Sequence, residues 1–167
     1  MGKLEIDMYL DFQKQLEEIL RSSKLKFSSE DIGLDGKQYH VRTAELTCTI
    51  KLTKDWVGYD LTVNEAALGR RIGNSVDTDN YSLEYDPLVT RKIAKEIFAC
   101  VNAIANKNIY AGSSGGNLLL AIPTADHKYK LTTFIPKPRW WKLDSSTTEF
   151  IGEKELLGLT PNIKPLS

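Results

Sequence analysis

Gly112-Ser113-Ser114-Gly115-Gly116 runs directly into Asn117-Leu118-Leu119-Leu120-Ala121-Ile122, and the order of these two stretches decides how the chain is read. A strongly helical segment lies before the glycines and an apolar strand lies after them. Phosphate loops and nucleophile elbows need the reverse order, strand and then helix, because the helix N-terminus supplies unpaired N–H groups and the positive end of the dipole. Here the glycines meet the C-terminal, partly negative end of a helix. The match of residues 112–116 to G-x-S-x-G is therefore read as a connector, with glycines supplying positive φ at a helix exit. Function is expected on a surface rather than in bond chemistry.

Upstream, Asp86-Pro87 marks a helix start, an N-cap followed by proline at the first helical position. Val89, Ile93, Ile97, Val101 and Ile104 form its apolar stripe, widened by Ala94 and Phe98, and Asn106-Lys107-Asn108 supplies the stop. Downstream, residues 118–122 and 129–135 flank Pro123-Thr124-Ala125-Asp126-His127 as a hairpin. Its first strand is apolar on both faces and is therefore central. Pro136 and Pro138 end the second strand. Residues 143–167 read as an irregular tail with one helical turn over 153–157.

Towards the N-terminus, Tyr9, Phe12, Leu16, Ile19 and Leu20 give residues 5–22 helical spacing. Asp35-Gly36 is a hairpin signal between residues 32–34 and 37–41. Ala44, Leu46, Cys48, Ile50 and Leu52 then alternate with Glu45, Thr47, Thr49 and Lys51. Because Tyr39 and Val41 are on the other phase, a bulge or break is expected near Arg42 and Thr43. Val57, Tyr59, Leu61 and Val63 continue the alternation after a turn. Residues 64–80 read as a polar loop containing Arg70 and Arg71, and Tyr81, Leu83 and Tyr85 as a short strand. No repeat appears in the sequence. The pattern predicts one α+β domain over residues 1–167. Two helices pack on an antiparallel sheet of about five to six strands, in the order α-β-β-β-α-β-β.

The chain has 167 residues, 22 Lys plus Arg and 22 Asp plus Glu, so no net charge draws it towards nucleic acid or an anionic membrane. Its apolar runs fall far short of the ~20 residues that span a bilayer. Acidic residues at Glu5 and Asp7 interrupt any signal-peptide core, and a cytoplasmic location is expected. Cys48 and Cys100 have neither metal nor disulfide spacing and read as small buried hydrophobes.

A serine hydrolase built on Ser114 would need an imidazole and an acid, and the chain has only His40 and His127. Asp126 adjoins His127, and strand alternation turns adjacent side chains apart. A nest of N–H groups with Ser113, Ser114 and Gly115, assisted by Arg70, Arg71 and His127, is the alternative anion or nucleotide site across residues 112–117. No lysine follows the glycines as a Walker loop requires. Glu65, Asp77, Asp79 and Glu84 lack the pattern of a calcium loop. No cofactor or metal is expected.

Pro136-Lys137-Pro138-Arg139-Trp140-Trp141-Lys142 is the strongest surface candidate. Adjacent tryptophans in a strand point to opposite faces, so one meets solvent or a partner. Lys137, Arg139, Trp140, Trp141 and Lys142 suit a protein hot spot, where Trp and Arg are enriched. The same set suits stacking on single-stranded nucleic acid, the further alternative, which zero net charge disfavours.

From Asp86 to Ile135 the chain resembles the second half of class I chaperones of type III secretion. Those proteins run helix, glycine-rich turn, strand, hairpin and strand. Their Gly-x-x-Gly-Gly run into an apolar strand is matched here by residues 112–120, and the opening helix and three-stranded region follow that family's order. The chain departs from the family in being neutral rather than acidic and in lacking a final amphipathic helix. The resemblance implies a small homodimer that binds an extended segment of another protein without catalysis. A small inhibitor or immunity-type protein that masks a partner is the other form of this expectation.

Overall fold

The computed structural model describes residues 3–33, 36–53, 57–64, 72–77, 87–124, 126–135, 145–159 and 162–167. Helix α1 (Lys3–Ser22) precedes β1 (Phe27–Ile32), β2 (Gly36–Arg42), β3 (Leu46–Leu52), β4 (Val57–Val63) and β5 (Ile72–Asp77). Helix α2 (Pro87–Ala105) precedes β6 (Tyr110–Ser114), β7 (Asn117–Pro123), β8 (Tyr129–Ile135) and β9 (Ser145–Ile151), then the short helix α3 (Glu153–Leu157) and β10 (Ile163–Pro165). Sheet A is β1-β2-β3-β4-β5 and sheet B is β10-β6-β7-β8-β9, and each pairing is antiparallel.

The fold is α+β, with the two helices and antiparallel meanders in the order the sequence predicts. Among the described residues ten strands form two sheets rather than one. The single irregular tail over 143–167 is corrected: β9, α3 and β10 occupy most of it, and the helical turn at 153–157 is α3. Part of the loop over 64–80 is β5. The expected break near Arg42 is a full reversal between β2 and β3, closed by Thr43 N–H to the Leu46 carbonyl at 2.9 Å. Each strand thus keeps its own phase, with Tyr39 and Val41 buried on β2 and Leu46, Cys48, Ile50 and Leu52 on β3. Tyr81, Leu83 and Tyr85 lie outside the described residues.

The connector at residues 112–116 is also corrected. Gly112, Ser113 and Ser114 belong to β6, and Gly115 and Gly116 close the β6–β7 hairpin at φ +59° and +83°. Two successive positive φ values suit a two-residue turn that follows strand twist. Helix α2 ends earlier, where Lys107 takes φ +53° and Asn108 N–H reaches the Ala103 carbonyl at 2.8 Å.

One topology is used twice. Helix α1 ends at Ser22, Lys24 has φ +59° and β1 starts at Phe27. Helix α2 ends at Ala105, Lys107 has the same kind of φ and β6 starts at Tyr110, with the same spacing. Each unit is thus a helix, a lysine in left-handed conformation and an antiparallel meander. The helices meet where Phe12 and Phe98 stack at 5.0 Å.

Both helices, the inner face of sheet A and one face of sheet B build a single core. Leu16, Leu20, Ile50, Leu61, Ile93, Ile97 and Leu120 are each at most 1 % exposed within it. Strand β7 is central as expected. Leu118, Leu120 and Ile122 face this core, while Leu119 and Ala121 face a second cluster with Tyr129, Leu131, Ile151, Leu156 and Ile163. That second cluster is what holds β9, α3 and β10 on sheet B, since Leu156 of α3 and Ile163 of β10 bury apolar area there.

Candidate binding surface

Sequence reasoning set Ser114 against His127, and the topology separates them. Ser114 is at the β6–β7 end of sheet B, whereas His127 is in the β7–β8 turn at the opposite end. The seven residues of β7 put them about 20 Å apart at ~3.3 Å per residue. Ser113, Ser114 and Gly115 are exposed at the hairpin tip. The positive φ that suggested a helix-exit connector serves to close that hairpin. Arg70, Arg71, Lys137, Arg139, Trp140, Trp141 and Lys142 lie outside the described residues, as do Glu65, Asp79 and Glu84.

A hydroxyl, imidazole and carboxylate do meet elsewhere, on the outer face of sheet A. Thr49 Oγ1 lies 3.4 Å from His40 Nδ1, and His40 Nε2 lies 3.1 Å from Glu30 Oε1. The Gln38 amide reaches both partners, at 2.8 Å from His40 Nε2 and 3.0 Å from Glu30 Oε1. The register explains the cluster: His40 is opposite Thr49, and Gln38 is opposite Glu30. Sequence spacing hides it, because the acid comes from β1, an element the alternation does not announce.

The order of groups resembles a nucleophile–base–acid relay, but acyl transfer also needs N–H donors aimed at the developing oxyanion. The N–H groups of β2 and β3 are directed along the sheet, and each strand has a neighbour on both sides. The His40 and Glu30 side chains are 37 % and 60 % exposed, so solvent screens them. The arrangement is a cross-strand polar ladder that keeps this face wet. Among the described residues, no three His, Cys, Asp or Glu side chains converge as metal ligands. Cys48 and Cys100 are buried and free, and the neighbouring Cys100 thiol, together with burial, pushes the Cys48 thiol well up.

The surface that stands out lies on β8 and β9, on the core side of sheet B beyond the area occupied by β7. The register sets Lys130 opposite Phe150, Thr132 opposite Thr148 and Phe134 opposite Ser146, all on one face. Phe134 packs against the core, while Phe150 is 64 % exposed. The Thr132 and Thr148 hydroxyls are 3.4 Å apart. Helix α2 contributes Glu96, whose carboxyl is pushed up by burial and drawn back by Lys130 and Lys92. An exposed aromatic therefore stands beside hydroxyls and a mixed-charge pair, a composition suited to a peptide rather than to lipid or nucleic acid.

Strand β9 was missed because Ser146-Thr147-Thr148-Glu149-Phe150 is exposed throughout and shows no alternation. The available signal was β-propensity, carried by Thr147, Thr148, Phe150 and Ile151. No protein-family model and no curated protein matches the chain. No described helix is long and apolar enough to cross a membrane.

Proposed function

We propose that this protein is a non-catalytic, cytoplasmic protein-binding module that receives an extended segment of another protein on β8 and β9 beside α2. The observation that carries the reading is Phe150, 64 % exposed on a strand face whose other side chains are Lys130, hydroxyls and Phe134, the last packed against the core. An aromatic side chain loses little conformational entropy on binding and buries a large area, which is why such residues act as anchors. Lys137, Arg139, Trp140, Trp141 and Lys142 stand in sequence between these two strands and are assigned to the same partner.

The class of function follows the resemblance to type III secretion chaperones, small homodimers that hold an extended segment without chemistry. An inhibitor that masks a partner uses a surface in the same way. Selection of binders from a library of displayed extended peptides tests the reading. Phe150→Asp is expected to abolish their binding while the circular dichroism spectrum stays unchanged. Binding that survives this substitution contradicts the site.

A further inference from the structure

We infer that the segment received on β8 and β9 is acidic, with carboxylates on either side of an apolar residue. The inference rests on the binding surface proposed above and names the chemistry of what that surface takes.

The charges of Lys92 and Lys130 both act on the Glu96 carboxyl, so one side of α2 and the end of β8 share a neighbourhood. Lys95 is three residues from Lys92 and therefore its neighbour on the helix surface. Lys92, Lys95 and Lys130 stand against one carboxylate, Glu96. Glu149, the acid of β9, is on the other face of the sheet, opposite Leu131 of the second cluster. The chain as a whole is neutral, so this local excess of cations is offset elsewhere. Arg91, four residues before Lys95, adds a repulsion between like charges that weakens a helix. Arg91, Lys92 and Lys95 are all exposed, and among the described residues no carboxylate is within ion-pair distance of them. A bound anion relieves that repulsion. Glu96 does not, because its carboxyl is half-buried at the inner end of the group.

The spacing of the aromatic and the cations matches an extended peptide. Phe150 is opposite Lys130, and directly opposed side chains start ~5 Å apart. An extended chain returns to the same side every second residue, a step of ~7 Å. An apolar residue packed on Phe150 therefore has its next same-side neighbour within reach of a lysine. A peptide fits better than a nucleic acid strand. Glu96 would oppose a run of phosphates, and Phe150 is one stacking surface where successive bases need several.

Fluorescence anisotropy on the full chain tests this with two short labelled peptides. One alternates glutamate with threonine around a central leucine, and the other has lysine in place of each glutamate. The glutamate peptide should bind about ten-fold tighter at low salt, an advantage that vanishes near about 1 M salt. Lys92→Glu combined with Lys95→Glu should invert the preference with unchanged circular dichroism. Glu96→Gln should tighten the glutamate peptide roughly three-fold. Equal binding of the two peptides overturns the inference, as does a preference that the double substitution leaves in place. A single-stranded oligonucleotide that displaces the glutamate peptide overturns it too. Library-selected peptides that lack acids yet need Phe150 refute this inference alone. A chain that binds no peptide refutes the proposed function and this inference with it.

Discussion

The Tyr39 hydroxyl, on a side chain with no solvent exposure, donates a 2.8 Å hydrogen bond to Glu17 and fastens α1 to β2. Lys37 Nζ reaches the same carboxylate oxygen at 3.1 Å, and Arg21 reaches the other at 3.4 Å. The Tyr39 bond, with help from Lys37, holds the Glu17 carboxyl below its ordinary 4.5 despite partial burial. Burial and then Glu17 raise the Tyr39 phenol far above its ordinary 10.0.

These shifts fix the sign of the pH dependence. A depressed carboxyl contributes stability above its unfolded value, and that contribution is lost as pH falls below 4.5. A raised phenol contributes below its unfolded value, and stability falls as pH rises past 10.0. Urea midpoints should form a plateau between these limits. Tyr39→Phe should lower the plateau by about 1 kcal/mol and flatten its alkaline limb.

Lys24 and Lys107 hold positive φ at the two helix exits, and both side chains are exposed. A non-glycine residue in the left-handed region costs ~1 kcal/mol. Lys24→Gly and Lys107→Gly are each expected to raise unfolding free energy by about 0.5–1 kcal/mol in urea titrations. Because the sites lie in different units, the two gains should add.

Gly112 is required by a close crossing. A Cβ placed there would run into the Asn162 carbonyl oxygen and come within 2.8 Å of Ile163 Cα, where β10 joins β6. Ser113 N–H donates to that same Asn162 carbonyl at 3.1 Å, which holds the crossing. Gly112→Ala should displace β10 and cost roughly 2–4 kcal/mol. Hydrogen exchange should then rise over residues 162–166 while the amides of β3 and β4 stay protected.

Cys48 and Cys100 are each 1 % exposed, and the Cys48 thiol is raised by its Cys100 neighbour and by burial. Thiolate is the reactive form. A thiol reagent should label neither residue in the folded protein at pH 8 and both after denaturation. Fast native labelling contradicts this account of the core.

What the sequence announces are elements with one wet and one dry face. Leu46, Cys48, Ile50 and Leu52 spell β3, and Ile93, Ile97, Val101 and Ile104 spell α2, because burial imposes periods of 2 and 3.6 on them. Strands β1 and β9 are edge strands whose middle residues are exposed, so hydropathy carries no period there. Strand β6 was hidden by Gly112, whose place is set by β10 some fifty positions later. The His40 cluster and the Phe150 face likewise depend on register, a long-range property that no local window contains. The contact of Glu45 with Ser167, 122 positions apart, is of the same kind.

Amide chemical-shift mapping with a peptide selected from an extended-peptide library tests the central claim most directly. The account predicts perturbations over residues 130–134 and 146–150, lost in Phe150→Asp and retained in His40→Ala. Perturbations centred on His40 and Thr49, or on Ser113 to Gly116, would contradict it.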